Sequence, residues 1–217
     1  MRVLYPAYLF FCQEQYGSGK CTLFPDYQNR WNAAVPKLHQ YLMDQKILGF
    51  NVGDERICGN DKHGTSVGDW NTIINTMRNS FPRGQAIIYT NECASTFENT
   101  ANFNLDIPDN LDWIGFDRYY SKSDTHGFIK NTLKPAYEKY LYPKLKDHHK
   151  VAITPQVTNC QKLGKNELDD AKDAVAWAQS DPRVTFILPY RLDDLEGHCK
   201  GGDVYNFWTN YGKGTKQ

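Results

Sequence analysis

Short apolar segments that recur along the chain limit its possible folds more than any other feature of the sequence. Six of them are rich in Val, Ile, Phe and Tyr and mostly lack strict alternation: residues 2–11, 47–53, 86–90, 111–117, 151–157 and 184–190. This composition is typical of strands that are buried on both faces. The intervals between them are long enough for a helix, which strands joined in parallel require.

The segments between the predicted strands carry helical patterns. In residues 25–46 apolar side chains recur at three- and four-residue steps, and Pro36 is expected to kink this helix or delay its start. Residues 66–81 carry a second stripe, with Asp69 as the expected N-cap. Further helices are predicted in residues 96–108, 127–149, 166–181 and 201–214. Alternating strands and helices predict right-handed crossovers and a parallel sheet.

We therefore predict an α/β fold, a parallel (β/α) barrel of TIM type, complete or partial, with six strand–helix units. All residues, 1–217, are assigned to one barrel-like domain. A full eight-stranded barrel typically takes about 250 residues. The prediction thus leaves open a barrel without its first two units, or an open sheet. No glycine-rich phosphate loop follows any predicted strand, which argues against a nucleotide-binding fold.

Charge and hydropathy limit the classes of partner. The chain has 25 basic and 25 acidic residues and a net charge of zero, so no nucleic-acid partner is predicted. No apolar stretch approaches the roughly 18 residues that a membrane span needs, so no membrane-spanning helix is expected. We interpret residues 1–12 as a strand rather than a signal peptide, because they lack a clean apolar block and a small-residue cleavage site.

The cysteines predict disulfide bonds. None of the six forms a C-x-x-C pair, so a structural zinc site is not predicted. No other metal and no cofactor is predicted either. Because they lie in or next to loops after apolar segments, we predict an oxidising, secreted or extracellular location. The expected pairs are Cys12 with Cys21, Cys58 with Cys93, and Cys160 with Cys199. Six reduced cysteines in a cytosolic protein remain the alternative, and the sequence does not indicate an oligomeric state.

Polar and aromatic residues follow five of the predicted strands. In parallel α/β folds the carboxyl ends of the strands carry the functional site, so we expect these residues to meet at one rim. Carboxylates that face aromatic rings suit sugar chemistry, because one carboxyl protonates the leaving oxygen and flat rings pack on pyranoses. The residues in question are Asp54, Glu55, Asn91, Glu92, Asp117, Tyr119, Tyr120, Gln156, Tyr190, Arg191 and Asp193.

Two of these strand ends resemble a known family. "GFNVGDE" followed by "WIGFDRYY" is similar to strand ends of the clan of (β/α)8-barrel glycoside hydrolases whose acid/base glutamate ends the fourth strand. If two units are missing at the amino end, the resemblance implies that Glu55 is this residue. Gly53-Asp54-Glu55 is also similar to the Gly-Asp-Glu of β-N-acetylhexosaminidases. That likeness implies that Asp54 orients the acetamido group of the substrate and that Glu55 is the general acid.

We therefore predict a secreted glycoside hydrolase with a carbohydrate substrate. Glu55 is its predicted acid, and Asp54, Asp117 or Glu92 is its catalytic partner. The predicted substrate-binding residues are Tyr119, Tyr120, Asn91, Gln156, Tyr190, Arg191 and Asp193. Retaining members of the clan place a nucleophilic Glu where Gln156 stands, which favours substrate assistance, inversion or loss of activity. A non-catalytic carbohydrate-binding or structural protein is the alternative, and a disulfide-stabilised toxin or interaction domain is a third.

Overall fold

The computed structural model describes residues 2–14, 21–58, 65–98, 105–119, 127–155, 167–188 and 203–214. Its strands are β1 (Val3–Pro6), β2 (Cys12–Glu14), β3 (Cys21–Leu23), β4 (Ile47–Asp54), β5 (Ile87–Cys93), β6 (Trp113–Asp117), β7 (Lys150–Ile153) and β8 (Val184–Ile187). Its α-helices are α1 (Tyr27–Met43), α2 (Val67–Ser80), α3 (Ala94–Glu98), α4 (Lys134–Ala136), α5 (Glu167–Ser180) and α6 (Asp203–Gly214).

A parallel sheet and its connecting helices confirm the predicted α/β class. Six strands follow the order β1-β4-β5-β6-β7-β8, and β2 pairs with β3 in a separate antiparallel ribbon. The pairs β1–β4, β4–β5 and β7–β8 are parallel. Each strand of the large sheet lies within one of the six predicted apolar segments or overlaps its edge. The predicted burial on both faces is clearest in β5, where six of seven residues are buried.

The first apolar segment forms two elements, so the prediction of a single strand over residues 2–11 is wrong. β1 ends at Pro6, and Ala7–Phe10 forms a 3-10 helix. Proline has no N–H to offer to a sheet ladder, which makes it a natural end for the strand. The 3-10 turn still buries apolar surface, because Ala7 and the following Phe11 are inaccessible to solvent.

Two details of the predicted helices also differ. α1 continues through Pro36 from Tyr27 to Met43, so the later start that the proline suggested is not observed. The N-cap of α2 is Ser66 rather than Asp69: the Ser66 hydroxyl accepts a hydrogen bond of 3.0 Å from the Asp69 backbone N–H. Ser66 has the extended backbone that an N-cap requires, whereas Asp69 already lies in the first helical turn.

The helix predicted in residues 127–149 mixes three helical types. A π-helical turn (Ile129–Leu133), the short α4, a second π-helical turn (Tyr137–Leu141) and a 3-10 turn (Tyr142–Lys144) follow one another. Pro135 lies between the two π-helical turns and cannot donate the bond that a regular α-helix needs at its position. The residues predicted at 96–108 are helical only up to Glu98 in the described part of the chain.

The chain divides into two compact units, each with aromatic residues at its centre. The first unit comprises Met1–Gly115 and Lys144–Lys150, and the second Phe116–Pro143 and Val151–Gln217. In the first unit the Trp31 ring packs edge-on against Phe50 and Phe81 at centroid distances of 5.7 and 5.9 Å. In the second, Tyr137 stacks on Phe116 at 4.0 Å. The single-domain prediction stays a prediction.

Two of the three predicted disulfides are confirmed. Cys12–Cys21 joins β2 to β3, and Cys58–Cys93 joins the turn after β4 to the end of β5. Cys160 and Cys199 lie outside the described residues. Two disulfides are compatible with an extracellular compartment. Among the residues that the structure describes, no helix combines the length and apolar character needed to cross a membrane.

Candidate functional site

The carboxyl ends of β4 and β5 bring two predicted site residues into direct contact. Asp54 and Asn91 are partners in the parallel register, and the Asn91 side-chain amide donates a 2.9 Å hydrogen bond to Asp54 Oδ1. Asp54 is exposed, whereas Asn91 is buried. The buried amide therefore fixes a carboxylate that faces solvent at the end of the sheet.

The chain turns sharply after β4, and a glycine makes the turn possible. Gly53 has φ 140°, and a Cβ placed there would lie 2.1 Å from Arg56 Nε. Its N–H donates to Asn51 Oδ1 at 2.9 Å. Two residues later Glu55 adopts φ 51°, a left-handed conformation that is uncommon for a residue with a side chain. We call residues 54–58, which carry both predicted acids, the acidic turn.

Hydrogen bonds hold the acidic turn against the end of β5. The Glu55 N–H donates to the Asn91 carbonyl at 2.8 Å. The Ile57 N–H donates to Glu92 Oε2 at 3.0 Å. A left-handed residue outside glycine costs free energy and persists where its surroundings over-determine the backbone. These two bonds flank Glu55 and provide that constraint.

The far end of the acidic turn is attached covalently. Cys58 is bonded to Cys93, the last residue of β5. The Thr96 hydroxyl of α3 donates to the Ile57 carbonyl at 3.4 Å. The turn is thus joined to β5 and α3 by a disulfide as well as by hydrogen bonds, which places its acids on a fixed support.

Glu92 is a buried carboxyl beneath the acidic turn. Its residue exposure is 0%, the Thr90 hydroxyl lies 2.9 Å from Oε1, and Oε2 accepts the Ile57 N–H. Burial raises the pKa of Glu92 to about 8, and the nearby Asp54 charge raises it further, against the opposing hydrogen bonds and Arg56. Glu92 is therefore protonated at neutral pH.

A neutral Glu92 also accounts for the hydrogen bonds of its neighbour. The Thr90 hydroxyl has one proton and lies 2.9 Å from Glu92 Oε1 and 3.3 Å from the Gly53 carbonyl. If Glu92 carries a proton on Oε1 and donates it to Thr90, the Thr90 proton is available for Gly53. All three groups are then bonded at once, in a chain that ends at the turn glycine.

Arg56 is a site residue that the sequence prediction missed. Its side chain is buried, and its guanidinium lies over the Tyr8 ring at 4.4 Å. The Arg56 charge lowers the pKa of Glu92 but does not outweigh the burial of the carboxyl. A cation directly after two acids was the available signal, and nothing local in the sequence indicated that its side chain would be buried. Thr90 was missed for the same reason.

Glu55, the predicted general acid, is half-buried at the left-handed position of the acidic turn. Its backbone accepts the Cys58 N–H at 3.3 Å and donates to Asn91. The structure therefore brings Asp54, Glu55, Asn91 and Glu92 together at the end of β4 and β5. The catalytic and binding roles assigned to these four residues stay predictions.

The second unit contains another predicted pair at the end of β6. Asp117 is 3% exposed, and Tyr119, which is 42% exposed, donates its hydroxyl proton to Asp117 Oδ2. An isolated parallel bridge joins Asp117 to Thr154, directly after β7. The exposed Tyr119 ring presents a flat apolar face next to a buried carboxylate.

No protein-family model matches the chain, and no curated protein matches it. The arrangement of side chains is therefore the basis for assigning a function. Within the described ranges no group of three or more His, Cys, Asp or Glu residues is placed to hold a metal ion. The remaining predicted binding residues lie outside the described residues: Tyr120, Gln156, Tyr190, Arg191 and Asp193.

The chemistry available at the acidic turn is proton transfer between carboxyl groups and a bound molecule. Asp54 offers an exposed carboxylate whose orientation is set by Asn91. Glu55 offers a second, half-buried carboxyl on the same fixed support. Glu92 adds no negative charge beneath them while it is protonated. General acid and base catalysis requires this kind of fixed position for the group that transfers the proton.

Proposed function

We propose that the chain is a secreted glycoside hydrolase of the (β/α)8-barrel clan that cleaves O-glycosidic bonds by carboxylate acid/base chemistry. The observation that carries this proposal is the acidic turn, which holds Asp54 and Glu55 side by side at the carboxyl end of parallel strands. Glycosidic cleavage needs one carboxyl to protonate the leaving oxygen and a second group to stabilise the positively charged sugar. Sites of parallel α/β folds lie at this end of the strands.

In this proposal Glu55 protonates the leaving oxygen, and Asp54 orients the substrate or stabilises the developing positive charge. Support comes from the Asn91 amide, which fixes the Asp54 carboxylate, and from the hydrogen bonds on both sides of Glu55. Pre-set positions of this kind lower the cost of reaching the transition state. The neutral Glu92 beneath the turn is a positioning residue, because it holds Ile57 and is inaccessible to a bound sugar.

The finer features of the fold belong to the same proposal. The parallel sheet is a TIM-type barrel or part of one, and the two disulfides fit a secreted protein. Asp117 stays one of the three predicted partners of Glu55, with Asp54 and Glu92, and Tyr119 stays a predicted sugar-binding residue. In their own unit the exposed Tyr119 ring lies next to the buried Asp117 carboxyl. The acids supply the chemistry, and the aromatic ring supplies a surface for a pyranose.

A non-catalytic carbohydrate-binding protein is the second candidate, and one observation favours it. Two of the three acids proposed as partners of Glu55 are buried: Glu92 is 0% and Asp117 3% exposed. Each is also engaged by a hydroxyl group, from Thr90 or Tyr119. A chain that had lost its catalytic partner would retain the same sheet end and its aromatic surface.

The experiment compares wild type with Glu55→Gln on a panel of chromogenic glycosides with good and poor leaving groups. A general acid is expected to lose at least about 10²-fold in kcat on poor leaving groups and less on good ones. Glu138→Gln is the matched control, because Glu138 is an exposed acid on a surface helix. Equal rates for Glu55→Gln and wild type would exclude the role of Glu55, and sugar binding without turnover by wild type would select the second candidate.

A further inference from the structure

A cleft of about 400 Å³ lies in the first unit at the amino ends of its strands, away from the acidic turn. Ile47, Ile87 and Trp113, the first residues of β4, β5 and β6, contribute to its lining. Its volume falls within the roughly 300 to 1,000 Å³ that is typical of small-molecule sites. We call it the amino-end cleft.

The acid of this cleft is already fully engaged. Among the described residues that line the cleft, Asp112 is the single carboxylate. Its Oδ2 accepts hydrogen bonds from the buried Arg78 guanidinium and, at 2.8 Å, from the Ile88 N–H. Its Oδ1 accepts a hydrogen bond of 3.1 Å from Arg83 Nη1. Two guanidinium groups therefore share one carboxylate.

Positive charge at the cleft exceeds negative charge. Arg2 and Arg83 both line the cleft, and the Asp112 carboxylate is shared between Arg83 and the buried Arg78. Arg83 is 41% exposed and has N–H groups beyond those that bind Asp112 and the Asp109 carbonyl. Asp109, the acid next along this loop, is paired with Lys146. This excess of positive charge favours a bound molecule that carries a negative charge.

The walls are apolar. Leu42, Leu48 and Ile87 add aliphatic surface, and Trp113, half-buried, adds an aromatic one. A simple inorganic anion would leave this surface in contact with water, whereas a ligand with an apolar body would cover it. Burial of apolar area is favourable, so an apolar body would add to the affinity of an anionic ligand.

We propose that the amino-end cleft binds a small organic anion in which a carboxylate is attached to a flat apolar body. The carboxylate pairs with Arg83 and Arg2, since guanidinium groups form bidentate hydrogen bonds with carboxylates. The body lies against Trp113 and the aliphatic wall. The site is separate from the proposed hydrolase chemistry and does not depend on it.

A structural role explains only part of this cluster. Arg78 donates to the Phe81, Ala86 and Asn110 carbonyls as well as to Asp112, so it ties two loops together. The same role requires neither Arg2 nor the open face of Arg83. These two residues are therefore the ones to test.

The full chain is titrated separately with 3-phenylpropionate, its neutral amide 3-phenylpropionamide and inorganic phosphate. Binding is measured by calorimetry and ligand-observed NMR. We expect saturable binding of the carboxylate, with the amide and phosphate at least about tenfold weaker. Equal affinity for acid and amide would overturn the proposal, as would binding of phosphate alone or no saturable binding of the carboxylate at millimolar concentration.

Variants locate the site. Arg2→Gln and Arg83→Gln should each weaken 3-phenylpropionate binding at least about fivefold, and Arg83→Lys should recover part of the loss. Arg30→Gln, which removes an exposed guanidinium from α1, is the control and should leave the affinity unchanged. Arg2 is exposed, so its variant is expected to fold normally. Unchanged affinity in both test variants, or an equal loss in the Arg30 variant, would contradict the assignment, whereas Glu55→Gln should have no effect.

Discussion

The backbone N–H of Ile57 donates to Oε2 of Glu92, so a fully buried carboxyl holds the turn that carries the two candidate acids. The relation links the interior of the first unit to the position of Asp54 and Glu55. It also makes that position sensitive to whether Glu92 is protonated, since an ionised Glu92 would be a buried charge close to Asp54.

Glu92→Gln is expected to change the pH dependence of stability. Glutamine keeps the shape of a protonated glutamic acid and does not ionise. The pKa of Glu92 is raised in the folded state to about 8, so the folded state binds its proton more tightly than the unfolded chain. This tighter proton binding stabilises the folded state. The stabilisation is fully present below the unfolded pKa of about 4.3 and is lost as pH rises through the folded pKa.

The measurement for this variant is thermal unfolding from about pH 5 to about pH 9. The wild type should lose stability relative to Glu92→Gln with increasing pH, at up to about 1.4 kcal/mol per pH unit, until the difference levels off above the folded pKa. Glu138→Gln, at an exposed position, serves as the control and should follow wild type. Parallel curves for wild type and Glu92→Gln would contradict a protonated Glu92.

Gly53→Ala should destabilise the protein by at least about 2 kcal/mol, measured by urea unfolding. The substitution combines φ 140° with a Cβ that would lie 2.1 Å from Arg56 Nε. Gly84→Ala provides the comparison, because Gly84 has φ 92° but open space around the new Cβ. Gly84→Ala should therefore lower the free energy of unfolding by about 1 kcal/mol, which is the cost of placing alanine in this backbone conformation. Equal losses in the two variants would argue against the contact with Arg56.

The two disulfides should differ in their contributions. Cys58 and Cys93 are 35 residues apart, and Cys12 and Cys21 are 9 apart. On the loop-closure model, replacing Cys58 and Cys93 by serine lowers the free energy of unfolding by roughly 4 kcal/mol, and replacing Cys12 and Cys21 lowers it by roughly 2.5 kcal/mol. Urea unfolding of the two double variants tests this order, and a larger loss for the shorter loop would refute it. Only the Cys58/Cys93 variant should also impair a reaction at the acidic turn.

His149 is expected to destabilise the fold at acidic pH. It is buried, its Nδ1 accepts the Lys146 N–H at 3.0 Å, and its Nε2 lies 3.1 Å from the Pro108 carbonyl. Burial, with His148 adding to the effect, lowers the pKa of His149 below its usual value. The unfolded chain therefore binds the proton more readily, and stability falls as pH decreases from about 6.5.

His149→Gln removes this titration and can keep one of the two hydrogen bonds. Its stability, measured by thermal unfolding, should be lower than that of wild type near neutral pH, and the difference should narrow as the pH is lowered towards about 5. His39→Gln, at an exposed position of α1, is the control and should follow wild type. A constant difference between wild type and His149→Gln over this range would show that the pKa of His149 is the same in the folded and unfolded states, and would contradict the prediction.

Periodicity and cysteine positions predicted much of this fold, because both report on local structure or on chain connectivity. The apolar segments located six strands, and pairing neighbouring loop cysteines found Cys12–Cys21 and Cys58–Cys93. The end of the first strand was missed because Pro6 stops a ladder that the apolar pattern alone would continue. The Ser66 cap was missed because an acid at position 69 fits a helix start equally well.

The candidate site was predictable in its acids but not in their surroundings. Asp54 and Glu55 stand out as charges after an apolar segment. Whether an acid such as Glu92 lies in solvent or in the interior depends on what packs over it, here the Ile57 backbone of the acidic turn. Arg56 was overlooked for the same reason, since its burial against Tyr8 joins residues far apart in the sequence. Tertiary contacts of this kind leave no periodic signature.

The space beside Gly53 has a consequence for how this sequence can vary in evolution. The Arg56 side chain fills the volume that any larger residue at position 53 would need, with its Cγ and Cδ 2.7 and 2.9 Å from the hypothetical Cβ. A homologue with a side chain at position 53 is therefore expected to carry a smaller residue at position 56 and a different turn between them. Arg56 should therefore be accompanied by Gly53, and sequences that keep Arg56 with a larger residue at position 53 should be rare.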